Sequence, residues 1–391
     1  MQKLYLRKRE ERRLLAGHQW VFSNELLDVP KNLKAGESVS VFTESHQFLG
    51  TGFFNPNSLI AVRLLSDADE EIDEAFFESR LQGAWNLRKR LYPESVTNAF
   101  RLSHAESDGL SGLVIDKFAN VISVQIFSAG MEQHLETICD VLERLFSPAA
   151  IVLRNESQLR TLEGLPLYSR VARGELKGNV EIHDADIKYS VDVLQGHKTG
   201  FFLDQRENRK RIRPFAKDAD VLDVFTSDGG FALNAAFAGA KSVLALDASE
   251  AALQRMGNNA SLNGFKQIST VQGDAFELLK QFKAEARKFD VVVLDPPSLT
   301  KSKKNLSMAL QAYRELNSLA LSLVKSGGFL ATASCSHHVS EDDFLGAIHK
   351  ASSDAERGVV LLEKASQSPD HPVLLSMPET QYLKFALLAV A

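Results

Sequence analysis

From about residue 187 to the C-terminus, short apolar runs alternate with stretches of helical periodicity. That alternation leaves few folds open. Candidate strands lie at 221–225 (Val-Leu-Asp-Val-Phe), 242–246, 268–271, 289–294 (Phe-Asp-Val-Val-Val-Leu) and 328–333. Helical patterns separate them, for example 248–262, which ends at Asn263-Gly264. Strands joined through helices pair in parallel and need helices on both faces, so an α/β fold with an open sheet is predicted. Ligands of such sheets bind outside the carboxyl ends of the strands, near the point where strand order reverses.

Three strand ends carry chemistry. The first is Asp223-Val-Phe-Thr-Ser-Asp-Gly-Gly230, leading into a helix that opens with Phe231. Gly229 and Gly230 permit close approach of backbone to a ligand, and Asp223, Phe225, Thr226 and Ser227 line the same turn. The pair is not a Gly-x-Gly-x-x-Gly fingerprint, which favours a nucleotide-like cofactor other than a dinucleotide. Asp247 ends the next strand, where a carboxylate can accept from both ribose hydroxyls. Asp274 ends the third, beside the place of an adenine amino group, although an acid there is equally a helix cap. Together these positions suggest S-adenosylmethionine.

The second strand end is Asp295-Pro296-Pro297. Two prolines force extended backbone after a buried strand, which fixes the carboxylate and exposes a prolyl carbonyl for the amino edge of a base. The third is Ser334-Cys335-Ser336, a thiol in a polar turn just before a helix with Ser340 as its expected cap. The other cysteine, Cys139, falls among Ile138, Val141 and Leu142 on an amphipathic pattern and reads as a small core residue. Two cysteines provide neither a disulfide framework nor a cysteine-rich metal site, and no metal is expected.

The first 70 residues read as a small β-rich unit, residues 71–186 as an α+β middle unit, and residues 187–391 as the catalytic unit. No apolar run is long enough for a membrane span, and the N-terminus lacks the apolar core of a signal peptide, so a cytoplasmic protein is expected. A net charge of −5 argues weakly against nucleic acid, but three segments are locally basic. They are the first 13 residues, Arg206 to Arg213, and Lys301, Lys303 and Lys304. Three clusters, one beside the expected pocket, suggest a phosphate-rich substrate.

At these residues the chain resembles the bacterial class I rRNA cytosine-C5 methyltransferases that carry an N-terminal PUA domain, the large-subunit rRNA methyltransferase I family. Gly17-His-Gln-Trp-Val-Phe22 is similar to the opening of the PUA domain, and residues 101–116 to a middle-domain signature. Lys198-Thr-Gly-Phe-Phe-Leu-Asp-Gln-Arg206, His371-Pro-Val-Leu374 and Pro378-Glu-Thr-Gln-Tyr-Leu-Lys384 resemble catalytic-domain signatures. The resemblance implies a mixed seven-stranded Rossmann-like sheet, S-adenosylmethionine as cofactor and large-subunit rRNA as partner. It implies Cys335 as nucleophile and Asp295 as the group that binds and polarises the base, with Phe202, Asp204 and Arg206 lining the cleft. Arg7, Arg9 and Arg13 would hold the RNA backbone, with Lys301, Lys303, Pro296 and Pro297 near the target base. Two positions depart from the family pattern: Leu299 replaces a common aromatic after Asp-Pro-Pro, and Ser227-Asp228 replaces Tyr-Thr before the glycines. Alternatives are methylation of a guanine ring nitrogen, which needs no thiol, and a non-catalytic RNA-binding assembly protein. Monomer and homodimer are both open.

Overall fold

The computed structural model describes residues 1–196, 199–300 and 302–391; Lys198 and Lys301 therefore lie outside the described residues. The chain divides into two compact units. The first comprises Met1–Ala185, Val191–Leu203 and Pro369–Thr380, and the second Asp186–Ser190, Asp204–Ser368 and Gln381–Ala391. The sequence reading drew three domains, with everything after 186 in the last.

The first unit holds two five-stranded sheets. One is built from Gln2–Tyr5, Trp20–Phe22, Ser38–Phe42, Phe48–Phe54 and Ile60–Ser66 around Leu4, Val21, Val39, Val41 and Val62. The other runs Tyr168–Gly174, Ala150–Asn155, Val121–Ile126, Leu113–Phe118, Ala99–His104. The helix Glu74–Leu91 starts at Asp73, whose carboxylate accepts from Phe76 N–H, so the acidic stretch before it supplies a cap. Cys139 lies on the helix Leu135–Phe146, packed with Ile138, Val141 and Leu142.

The returning segment Pro369–Thr380 is tied to this unit through hydrogen bonds to Asp370. Arg88, fully buried, pairs with both carboxylate oxygens of Asp108 (2.5 and 2.8 Å) and donates to Asp370 O at 2.8 Å. Arg101 pairs in the same forked way with buried Asp116, and Asp370 accepts from Arg101 N–H at 3.0 Å. Forked guanidinium–carboxylate pairs fix geometry as well as charge, which suits a segment with no strand of its own.

The second unit is built on one seven-stranded sheet. We number its strands β1 (Asp220–Val224), β2 (Ser242–Asp247), β3 (Ile268–Gln272), β4 (Phe289–Leu294), β5 (Val324–Ser334), β6 (Val359–Ala365) and β7 (Lys384–Val390). Their order is 3-2-1-4-5-7-6, with β7 antiparallel to both neighbours and the first five parallel. Central β4 is apolar on both faces because helices cover both. The core joins Leu222, Val224, Val292, Leu294 and Leu330 to Leu279, Tyr313, Leu316 and Phe344. The helices are α1 (Gly230–Phe237), α2 (Glu250–Leu262), α3 (Ala275–Ala284), α4 (Leu306–Leu323) and α5 (Glu341–Asp354). Ser340 and Asp343 close α5 with the expected capping box. The order of strands reverses between β1 and β4, so the carboxyl ends of β1, β2, β4 and β5 frame the crevice where a ligand belongs.

Candidate active site

The turn after β1 is tightly wound. Phe225 (φ 65°), Ser227 (φ 51°) and Gly229 (φ 86°) all lie in the left-handed region. For the two non-glycine residues this costs about 1–2 kcal/mol each. The turn is held open by side chains: Asp223 Oδ2 accepts from Thr226 Oγ1 at 2.6 Å and from Ala232 N–H, in the first turn of α1, at 2.9 Å. Asp247, at the end of β2, accepts from Ser227 N–H and from Ser249 N–H, each at 2.9 Å. Asp228 pairs with Arg255 of α2 at 2.5 Å. The glycines answer a packing need as well as access. A Cβ on Gly230 would sit 2.3 Å from Arg209 Nε, and one on Gly229 would sit 2.5 Å from Met256 Cγ.

Asp223 is almost wholly buried, and burial pushes its carboxyl up to about 7, further raised by the charges of Asp295 and Asp247 and opposed by its two hydrogen bonds. Its Oδ1 and the Ser227 Oγ are buried and have no hydrogen-bond partner among the described residues. Two such atoms at one turn, one of them a carboxylate oxygen, fit a polar ligand that donates hydrogen bonds and carries a positive charge. Phe231 is buried on α1 and stacks on Phe385. Asp274, exposed, caps α3 by accepting from Glu277 N–H at 3.2 Å.

The strand-end acid and thiol come together. Cys335 Sγ donates to Pro296 O at 3.9 Å, one residue beyond Asp295. Asp295 Oδ1 accepts from Gln205 Nε2 at 3.0 Å, and Gln205 Oε1 accepts from Asn208 Nδ2 at 2.6 Å. Asn208 thereby fixes which end of the Gln205 amide faces the carboxylate. On the other side of the thiol, Ser334 Oγ donates to Tyr313 OH at 2.9 Å, and Tyr313 OH lies 3.0 Å from Ser336 Oγ. Ser336 Oγ accepts from Leu299 N–H at 3.1 Å, which ties the loop after Pro297 to the thiol turn. Gln205, Asn208, Tyr313 and Lys384 were not singled out in the sequence. The Gln205/Asn208 spacing, one helical turn beside the quoted Asp204 and Arg206, was the signal available for the first two.

Other expected positions fall differently. Asp204 is buried and its Oδ2 accepts from Tyr382 OH at 2.6 Å, so its carboxylate anchors a loop. Phe202 is half-buried in the first unit, while Asp204 and Arg206 belong to the second. The basic run Arg206–Arg213 is not a surface patch. Arg206 and Arg209 are buried, Lys210 and Arg211 pair with Glu207 and Glu363, and Arg213 donates to Asn234. The reason is that the run folds under the glycine turn, where guanidinium stems pack against helix backbone. Arg13 pairs with Glu25 at 2.5 Å and covers the Phe22 ring, whereas Arg7, Arg9 and Lys303 are exposed. Pro296 is buried and Pro297 exposed. Among the described residues no helix is long and apolar enough to cross a membrane.

Residues 4–67 match a PUA-like domain, and residues 103–377 match an S-adenosylmethionine-dependent methyltransferase family. A relative from Alteromonas mediterranea, called ribosomal RNA large subunit methyltransferase I, is 37% identical over 97% of this chain and 96% of its own. A proposed SAM-dependent methyltransferase from Streptococcus mutans superposes with a TM-score of 0.86 at 21% identity, covering both chains fully. A proposed methyltransferase complexed with SAH gives a TM-score of 0.87, also at 21% identity and full coverage.

Proposed function

Because this chain belongs to the S-adenosylmethionine-dependent methyltransferases, and within them to the ribosomal RNA large subunit methyltransferase I family, we propose that it methylates C5 of a cytosine in large-subunit rRNA through a covalent adduct at Cys335. The observation that carries this reading is the thiol of Cys335 beside the Asp295-Pro296 carbonyl turn, from adjacent strands β4 and β5. Methylation at a ring nitrogen needs an acceptor for the base but no nucleophile.

S-adenosylmethionine, when bound, supplies the methyl group as an electrophile. Asp223, Ser227 and Asp247 would hold it, with Phe225, Thr226, Gly229, Gly230 and Phe231 around the same turn and Asp274 at the next strand end. C5 of cytosine is a weak nucleophile. Addition of the Cys335 sulfur to C6 places an electron pair at C5 and turns one hard step into two easier ones. Asp295, oriented by Gln205, would hold the N3 and N4 edge and stabilise the charge that addition places on the ring. Loss of the C5 proton then lets the C6–S bond break, returning the thiolate. The base must leave its stack to reach the sulfur, so an unpaired or flipped nucleotide is the expected substrate. The exposed Arg7 and Arg9 of the PUA-like domain, with Lys303, would hold phosphate and set register.

The test is methylation of rRNA from a strain lacking the gene, followed by nucleoside mass spectrometry. 5-Methylcytidine is expected. A methylated guanosine in its place overturns the reading.

A further inference from the structure

An attacking sulfur needs to lose a proton, and its surroundings are not uniformly helpful. Asp295 ends β4 next to Pro296, whose carbonyl accepts from the thiol, and a thiolate near a carboxylate is disfavoured. Tyr313, from α4, is pushed up to about 12 by burial and stays neutral. His337, next along the chain but one, lays its ring on Tyr382. From β7 comes Lys384, which pairs in register with Ser334.

Lys384 is buried, and its Nζ donates to Ser336 O at 2.7 Å and to Tyr382 O at 2.8 Å. A primary amine with two N–H groups satisfies both carbonyls and keeps one lone pair. An ammonium satisfies the same two and keeps one N–H. The seat therefore accepts either protonation state without rearrangement. Burial lowers Lys384 to about 8, and the charge of Cys335 is the influence that opposes the shift. Such an amine exchanges a proton near neutral pH, as an exposed lysine does not.

We propose that Lys384 is the proton acceptor that activates Cys335. The S–H bond breaks and an N–H bond forms, so neutral thiol and amine become thiolate and ammonium with no net change of charge. The two carbonyls then hold the ammonium near the sulfur, where it offsets Asp295. When the adduct is expelled, the thiolate reforms beside the same cation. The role rests on the covalent reading of Cys335, but its test does not need the RNA.

In a Cys139→Ala background, iodoacetamide alkylation of Cys335 is followed by mass spectrometry from pH 6 to 10. Lys384→Met is expected to move the midpoint up by about one pH unit, slowing alkylation at pH 7 about tenfold. A Lys384→Met profile that superimposes on the parent overturns the proposal. If that variant does not fold, the unaltered lysine decides: a parent midpoint at or above the free-thiol value of about 8.5 overturns it. Superimposed profiles together with an inactive Cys335→Ser enzyme remove Lys384 and leave covalent catalysis standing. A shifted profile with an active Cys335→Ser enzyme removes covalent catalysis and the role with it.

Discussion

Cys139 and Cys335 carry the same side chain into opposite surroundings. Cys139 sits mid-helix in the first unit, 1% exposed, against Ile138, Val141 and Leu142. Burial pushes its thiol up to about 11, a shift that nearby Arg173 only partly opposes. Cys335 sits at a strand tip in the second unit, half-exposed, with a carbonyl acceptor, a carboxylate and a buried amine around it. One thiol is held in its least nucleophilic form by apolar neighbours. The other is set among polar groups on three strands, whose joint arrangement depends on the sheet order. Reactivity follows from position at the crevice, and residue type alone does not set it.

The sharpest way to break this comparison is to remove the sulfur at each place. Cys335→Ser is expected to lower methyl transfer by at least about 10³-fold while cofactor binding persists. Cys139→Ala should leave kcat within about twofold. Comparable losses in both variants, read by tritium transfer to rRNA, erase the distinction. Next in size is the acid. Asp295→Asn removes a charge aimed at the developing ring charge and is expected to cost about 10²–10³-fold in kcat. Gln205→Leu leaves the carboxylate but not its orientation, and a loss of about 10–100-fold in kcat with an unchanged cofactor KM is expected. Were the cofactor KM to rise instead, Gln205 would serve the cofactor and not the acid.

A smaller effect concerns the glycine turn. The Asp223 carboxyl is raised to about 7 by burial, so the cofactor-free protein holds a proton there that the unfolded chain has released above about 4. Its contribution to stability therefore falls as pH rises through that window. Binding a cationic ligand favours the carboxylate and reverses the preference. Calorimetry should show affinity for S-adenosylmethionine rising roughly tenfold from pH 5.5 to 7, and Asp223→Asn should flatten that slope. A wild-type affinity that does not change across this range removes the carboxylate from the cofactor site.

How much of this was legible follows from which interactions are local. The parallel strands β1 to β5 and the caps of α2 and α5 are written in apolar runs and in residues such as Ser249, Asn263 and Ser340, each next to what it caps. The two C-terminal strands were not picked out among the candidate strands, because β6 is an edge whose Val360, Leu361 and Leu362 stay partly exposed and show no alternation. The amphipathic pattern around Cys139 does not reveal the break at His134 that separates Ala129–Gln133 from Leu135–Phe146. At the site, Asp223, Asp295 and Cys335 were readable because glycine, proline and serine punctuate the strand ends. Gln205 and Lys384 were not, because each acts through partners about 50 to 90 residues away. The basic run from Arg206 misled for a related reason. Charge density along a chain does not reveal that Arg206 and Arg209 fold inward.

The smallest effect tests the quiet half of the comparison. If Cys139 is only a core residue, its substitutions should track volume and polarity and nothing else. Cys139→Ser places a hydroxyl where Ile138, Val141 and Leu142 offer no acceptor of their own side chains, and a loss of about 1–3 kcal/mol in unfolding free energy is expected. Cys139→Val adds bulk in a packed core and should cost about 1–3 kcal/mol through strain. Neither should change the iodoacetamide rate at Cys335 or the pH dependence of methyl transfer, since Cys139 is buried in the first unit's own core and the reacting groups belong to the second. An altered pH profile in Cys139→Ser, with stability unchanged, would give the helix cysteine a part in the chemistry and dissolve the contrast.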